Sequence, residues 1–279
     1  MKLSESWDVY AADMKLRGLS PVTIGNYRVQ HNLLLRYFGD VAIEGITLVN
    51  LKNYLIEESG HLKPSSLGQR VRSIRAFFKW ATLEEYIEKN PALKLKEPKE
   101  GSRVPKALSE EDLELLREGC TSAMEHALIE FLFATGCRVG EVNKLSIKDI
   151  DWDNHSCVVL GKGDKEREVY FGLRCALWLK RYLKQRKDSD ESLFVTQRAP
   201  HRLSVRMIEY VVNRIANQSE TQVRVYPHKL RHTFAMHLVN NGAPLEGIQT
   251  LLGHAKLETT QIYAHLSGPR RKAIFQKYF

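Results

Sequence analysis

Six side chains in the C-terminal part of the chain are of types suited to chemistry at a phosphate. Arg138 lies in Thr135-Gly136-Cys137-Arg138-Val139-Gly140-Glu141. A helix start broken by glycine offers backbone N–H groups and a favourable dipole to an anion. A guanidinium there can grip phosphate through two parallel bonds. The same residues equally allow an Arg138–Glu141 ion pair, because i and i+3 are neighbours on a helix. Lys162 sits in Gly161-Lys162-Gly163-Asp164, a glycine-flanked turn between two apolar strands. Charged residues commonly decorate such turns; a lysine on a turn tip beside a phosphate could also protonate a departing alkoxide. His228 and Arg231 share a face at i, i+3, and Pro227 sets His228 at a helix start. An imidazole and a guanidinium converging there form an oxyanion or phosphate site. His228 and His232 are also at i, i+4, the spacing of a zinc pair. That pattern needs Glu after the first histidine, where Lys229 stands, and Arg231 would repel a cation. His232 and His237 therefore read as structural. His254 follows Leu251-Leu252-Gly253 at a helix end, where a capping or core histidine is the alternative reading. Tyr263 lies on a helix with Leu257, Ile262 and Leu266; taken alone, it is one of 11 tyrosines, most of which serve packing.

The rest of the chain must position these groups. Its 279 residues can hold two domains, and 43% hydrophobic with 27% charged residues allows a core inside a soluble surface. No run is long and apolar enough for a transmembrane helix, and Met1-Lys2-Leu3-Ser4-Glu5-Ser6-Trp7-Asp8 lacks the apolar stretch of a signal peptide. Cytoplasmic location is expected. Cys120, Cys137, Cys157 and Cys175 are scattered, so buried or free thiols are expected rather than disulfides or a zinc knuckle. A net charge of +9 favours a polyanionic partner, nucleic acid being the commonest. The excess is shared: residues 1–98 hold 14 Lys+Arg against 11 Asp+Glu, and the remainder carries the rest, so contact through both halves is expected.

Apolar spacing predicts a helix over 1–19, then one from the Ser20-Pro21 start to Gly39 carrying Ile24, Tyr27, His31, Leu34, Leu35 and Phe38. Thr47 caps a third, and Ser65–Ala81 forms a fourth with Leu67, Val71, Ile74, Phe77 and Phe78 on one face. Gln69, Arg72 and Ser73 fall on the opposite face. Residues 94–106 are polar, with two prolines and a glycine, and read as an extended connection. The boundaries expected are a helical domain over 1–97, a linker over 98–106 and a second domain over 107–279. Ser109 with Glu110, Glu111 and Asp112 opens that domain as a capped helix. A helix with Leu128, Phe131 and Leu132 leads to Gly136; a strand, turn and strand over 157–171 form a hairpin; helices follow at about 173–187, 204–217, 228–241, 245–252 and 257–265. The tail carries Ile274, Phe275, Tyr278 and Phe279. The fold class is mainly α with a small β-hairpin or sheet.

In order, the chain reads Thr-Gly-x-Arg-x-x-Glu, Gly-Lys-Gly-x-Lys-Glu-Arg, Pro-His-x-Leu-Arg-His-Thr-Phe-Ala, Leu-Leu-Gly-His and Thr-x-x-Tyr-x-His. This succession resembles the tyrosine site-specific recombinases of the phage-integrase and Xer group. The resemblance spans nearly the whole chain and departs from the pattern at no expected catalytic position. It implies a two-domain DNA clamp, with a helical core-binding (SAM-like) domain and a catalytic domain ending in a docking tail. It implies a catalytic set of Arg138, Lys162, His228, Arg231, His254 and Tyr263, with Glu141 in support.

By that resemblance Tyr263 attacks a phosphodiester, forming a covalent 3′-phosphotyrosyl link and freeing a 5′-hydroxyl. Arg138, Arg231 and His254 stabilise the charge that builds on the phosphate. His228 accepts the phenol proton, which an unperturbed pKa of about 10 would otherwise retain at pH 7. Lys162 protonates the leaving oxygen. No metal, ATP or other cofactor is implied. Partners implied are double-stranded DNA with short inverted-repeat sites and further copies of the chain, as a homo-tetramer or a hetero-tetramer with a paralogue, passing through a Holliday junction. The apolar tail docks on a neighbouring subunit or on its own domain. Gln69 and Arg72 are groove-contact candidates, a solvated helix face being the alternative. The chain begins almost directly with the helical module, which favours the simpler Xer-like or resolvase-like systems over integrases with an arm-binding domain. Two other functions are weighed: a type IB topoisomerase that nicks and reseals with a similar constellation, and a non-catalytic basic DNA-binding protein.

Overall fold

The chain, of which the computed structural model describes residues 1–99, 106–161 and 165–253, divides into two units, Met1–Ser102 and Arg103–Phe279. Most of the expected linker, the turn tip with Lys162, the helix over 257–265 with Tyr263, and the tail all lie outside the described residues.

In the first unit, two of the four α-helices start at side-chain caps. Helix α1 (Leu3–Leu16) is followed by α2 (Pro21–Phe38), whose first turn is closed by the Ser20 hydroxyl accepting from the Thr23 N–H at 3.2 Å, with Pro21 at the first helical position. Thr47 and Asn50 cap α3 (Leu48–Ser59) reciprocally: the Thr47 N–H donates to Asn50 Oδ1 at 2.9 Å, and the Asn50 N–H to Thr47 Oγ1 at 3.3 Å. Helix α4 (Pro64–Leu83) starts a residue before the expected Ser65 and ends two beyond Ala81. Leu3, Met14, Leu51, Tyr54, Ile74 and Phe78 are almost wholly buried between these helices. Each such side chain contributes about 1.5–3 kcal/mol relative to staying exposed. Gln69 and Arg72 are exposed as expected, whereas Ser73 is half-buried beside Ile74 and Phe77. Position 73 adjoins the buried row at 70, 74 and 77, so the helix turns it inward.

The second unit begins with α5 (Glu110–Glu118), capped by Ser109 and Asp112. Helix α6 (Ala123–Thr135) is buried on nearly every side, so a uniformly apolar sequence is stable there. It ends at Gly136, which takes the left-handed conformation at φ 59°. Helix α7 (Val139–Lys144) follows. The expected hairpin is the larger part of a three-stranded antiparallel sheet: β1 (Ile150–Asp151), β2 (Ser156–Leu160) and β3 (Glu166–Tyr170), with Ile150 opposite Cys157 and Val159 opposite Arg167. Strand β1 is too short to leave an alternating signature in the sequence.

Helix α8 (Leu173–Gln185) stops short of 187, because Arg186 leaves the helix to bind Asp188 and the Ser192 carbonyl. Helices α9 (Val205–Gln218), α10 (Pro227–Asn240) and α11 (Leu245–Leu252) complete the unit. Helix α6 packs against α8 and α10 and so forms the floor under α10. All four cysteines are free and buried; burial lifts the Cys137 thiol to about 11, which keeps it protonated and inert.

Gly136 cannot be replaced without strain. A Cβ there would stand 2.3 Å from Cδ1 of Phe234. We expect Gly136→Ala to destabilise the unit, through about 1–2 kcal/mol of left-handed backbone strain and about 1–3 kcal/mol of overpacking. Gly140→Ala, whose Cβ would meet nothing within 4 Å, should be neutral or stabilising. Urea denaturation of both variants checks the contrast.

Candidate active site

The turn after α6 brings Arg138 to the start of α7. Its N–H, expected to be open to an anion, is occupied: it donates to Glu141 Oε2 at 2.7 Å, while its Nη1 donates to Oε1 at 2.8 Å. The i, i+3 ion pair is therefore present, and the helix start is filled by the protein's own carboxylate. The reason is geometric, since a glutamate at the third helical position reaches back to its cap. Arg138 nonetheless keeps a third of its side chain exposed, against 4% for Glu141.

Glu141 has a second partner that the sequence reading did not single out. Arg167 on β3 donates from Nη1 to Oε1 at 2.8 Å and from Nη2 to Oε2 at 2.7 Å. Burial alone raises the Glu141 pKa, but the bonds from Arg167 and Arg138 outweigh it and hold the carboxyl below its ordinary range. A depressed folded pKa means stability present above the unfolded value of about 4.3 and lost as pH falls through the folded one. The available signal for Arg167 was strand alternation: it shares a face with the buried Val169. An arginine on the inward face of a strand calls for a buried partner.

Helix α10 places His228 at its second position and Arg231 one turn on, inside the protein at 5% exposure. Arg231 donates from Nη1 to the Gly136 carbonyl at 2.7 Å and from Nη2 to the Leu252 carbonyl at 2.6 Å. Helix α11 ends at Gly253, left-handed at φ 62°. Its last carbonyls lack partners within the helix and carry the negative end of its dipole. Three arginines take them in succession: Arg167 Nε donates to Leu251 at 3.0 Å, Arg231 to Leu252, and Arg138 Nη2 to Gly253 at 3.2 Å.

Arg138, Glu141, His228 and Arg231 are thus brought together where α11 ends, immediately before His254 in the chain. Lys162, His254 and Tyr263 lie outside the described residues; Gly161 and Gly253, which precede Lys162 and His254 in the chain, border the Glu141–Arg167 pair. A Cβ on Gly161 would be 3.7 Å from Glu141 Oε1, and one on Gly253 would be 2.9 Å from Arg167 Cδ. His232 is buried, and His237 packs edge-on against Phe133. Among the described residues no group of three or more His, Cys, Asp or Glu is arranged to hold a metal ion. A cleft of about 490 Å³ lined by Tyr182, Arg186 and Thr196 contains none of the candidate residues. Gln69 and Arg72 belong to the first unit, where Arg72 pairs with Glu97 and Arg75 Nη1 lies 3.9 Å from the same carboxylate.

The His228 pKa is lowered, first by partial burial and then by the charges of Arg231 and Arg138, against an opposing pull from Glu209. The residue keeps an exposed edge. In the DNA-free protein its ring should titrate below the usual value of about 6.5, and Arg138→Gln should move it upward. NMR titration, with the resonance assigned by its loss in His228→Gln, measures both.

Residues 106–269 match the model of the phage integrase family, and residues 9–85 match the phage integrase N-terminal SAM-like domain. The chain is 34% identical to tyrosine recombinase XerC of Oceanobacillus iheyensis, over 94% of this chain and 91% of that one. It is 35% identical to tyrosine recombinase XerC of Staphylococcus aureus strain MSSA476, over 81% and 78%. The crystal structure of XerA recombinase superposes with a TM-score of 0.57 at 29% identity, covering 99% of this chain and 98% of that one. A lambda integrase tetramer bound to a Holliday junction shares the fold, with a TM-score of 0.79 at 19% identity over 92% and 78%. With the catalytic-domain model spanning more than half of its length, this chain belongs to the phage integrase family of tyrosine recombinases.

Proposed function

We propose that this protein is a site-specific DNA recombinase that cuts and rejoins strands through Tyr263. The observation that carries the reading is the convergence of Arg138, His228 and Arg231 at the carbonyl end of α11, one residue before His254. Full-length similarity to tyrosine recombinases supports it and disfavours both a topoisomerase and a DNA-binding protein without activity.

In this reading the guanidiniums of Arg138 and Arg231, with His254, take the charge of the five-coordinate phosphorus. The Tyr263 oxygen bonds to phosphorus as the bond to the 5′-oxygen breaks. His228 accepts the phenol proton, its lowered pKa keeping it neutral and receptive near pH 7. Lys162 gives a proton to the 5′-oxygen. The phosphotyrosyl ester retains the energy of the broken linkage, so a 5′-hydroxyl from a second strand displaces Tyr263 and reseals the backbone. Four strands require four sites, so a tetramer acts on paired short inverted repeats through a Holliday junction, built from identical chains or with a paralogue. The tail over 270–279 docks either on a neighbouring subunit, coupling the sites, or on its own domain.

A helical core-binding domain over 1–97 and a catalytic domain over 107–279, joined by 98–106, clamp the duplex, with Gln69 and Arg72 at the groove. The Arg72–Glu97 pair is exposed and so is worth under about 1 kcal/mol, a small barrier to exchanging carboxylate for phosphate. Among the described residues no helix is long and apolar enough to cross a membrane; a cytoplasmic location suits the role.

Incubation with fragmented DNA of the encoding organism, followed by denaturation, should recover DNA covalently linked to the wild-type protein. Tyr263→Phe should recover none while still retarding the same DNA in a gel. Adducts formed by the phenylalanine variant at the wild-type rate would refute Tyr263 as nucleophile. Sequencing the recovered DNA should reveal inverted repeats around the cut.

A further inference from the structure

Arg167 is a polar group of this site that the proposed chemistry leaves unused, and its surroundings are unusual for a strand residue. Its side chain is 10% exposed. It directs both terminal nitrogens at Glu141 and its Nε at the Leu251 carbonyl. One planar group therefore joins three elements: β3, which leaves the Lys162 turn; α7, which begins at Arg138; and α11, which leads into His254. The hairpin closes one step away, where the Gly161 N–H donates to the Lys165 carbonyl at 2.8 Å. Gly253 has to be glycine beside it, since any Cβ would press on the Arg167 side chain.

Resting on the recombinase reading, we propose that Arg167 is a positioning residue for strand cleavage: through Glu141 it fixes the Arg138 guanidinium, and through Leu251 it fixes the end of α11. It touches neither DNA nor phosphorus. The geometry needs a guanidinium. Lysine supplies the same charge but only a point donor, and it cannot bridge a two-pronged carboxylate and a carbonyl from one rigid plane. Without that plane Glu141 retains Arg138 alone, and both can turn. Displacement of a catalytic group by about 1 Å can cost about a hundredfold in rate, so the effect belongs to the chemical step rather than to DNA affinity.

The duplex recovered by covalent trapping, nicked beside the cut so that rejoining is blocked, provides the assay. Cleavage is followed in the pre-bound complex; affinity and thermal midpoint are measured on the same proteins. We expect Arg167→Lys to cleave at least about tenfold more slowly, with DNA affinity and thermal midpoint close to wild type. Its effect should largely vanish in a Glu141→Gln background, because residues acting through one contact are not additive. Added methylguanidinium should restore cleavage to Arg167→Ala. Cleavage by Arg167→Lys within about tenfold of wild type overturns the proposal. So does a loss that merely tracks the loss of folded protein and is not rescued by methylguanidinium, which would make Arg167 a fold residue. If the wild-type protein itself yields no adduct, the recombinase reading fails instead.

Discussion

A carboxylate buried almost completely is shared by two guanidiniums, and the catalytic unit depends on that arrangement. Taking Glu141 out of water is costly, and removing one partner of a buried ion pair typically costs about 3–5 kcal/mol. The cost is offset here by four hydrogen-bond donors on two residues, the Arg138 amide and Nη1 and both Arg167 terminal nitrogens; the Arg167 Nε is bound instead to the Leu251 carbonyl. Because those donors come from a helix cap and a strand, the carboxylate fixes the distance between α7 and the sheet. Arg138 therefore has little freedom near its base, and its guanidinium is held in place by the protein alone. Such preorganisation is where electrostatic catalysis draws most of its strength.

The carbonyl end of α11 is the counterpart of that carboxylate. A helix C-terminus is a diffuse negative pole, and three guanidiniums gather on it. Arg231 makes the shortest of these bonds and also holds the Gly136 carbonyl, so α6, α10 and α11 are tied through one side chain. Arg138 makes the longest, at 3.2 Å, near the limit for a useful N–H to oxygen bond. Partial burial and the same positive field lower the pKa of His228, so grouping the arginines both holds the chain and favours a neutral imidazole. Two left-handed glycines make this possible. Gly136 lets Phe234 close over the turn, and Gly253 lets Arg167 pass beneath the helix end.

The first unit uses ordinary means. Caps at Ser20 and Thr47 set two of its helices, and an aromatic cluster of Tyr10, Phe77 and Trp80 fills its centre. Arg70 is buried within it against the Tyr54 hydroxyl at 2.9 Å and Glu58. Two residues on, Arg72 is exposed and bound only at the surface. Neighbouring arginines on one helix thus serve packing and solvent respectively, and the difference is the helical turn between positions 70 and 72.

The order of most described elements, the caps at Ser20, Thr47 and Ser109, and the break at Gly136 after α6 were legible in the sequence. Each is written in a local signal: a serine or threonine before an apolar run, a period of three to four, a glycine at a break. The sequence offered Arg138 a phosphate contact or an ion pair with Glu141, and the tertiary structure makes the ion pair while leaving a third of the side chain exposed. Strand β1 was too short to register by alternation. Arg167 went unnoticed because its partners, Glu141 and Leu251, stand 26 and 84 residues away, and no periodicity reaches that far. Pattern reads the chemistry that a residue type offers, one helix turn or one strand at a time. Which carboxylate a buried guanidinium meets depends on how strand and helix pack, and that was settled only when β3, α7 and α11 closed on one another.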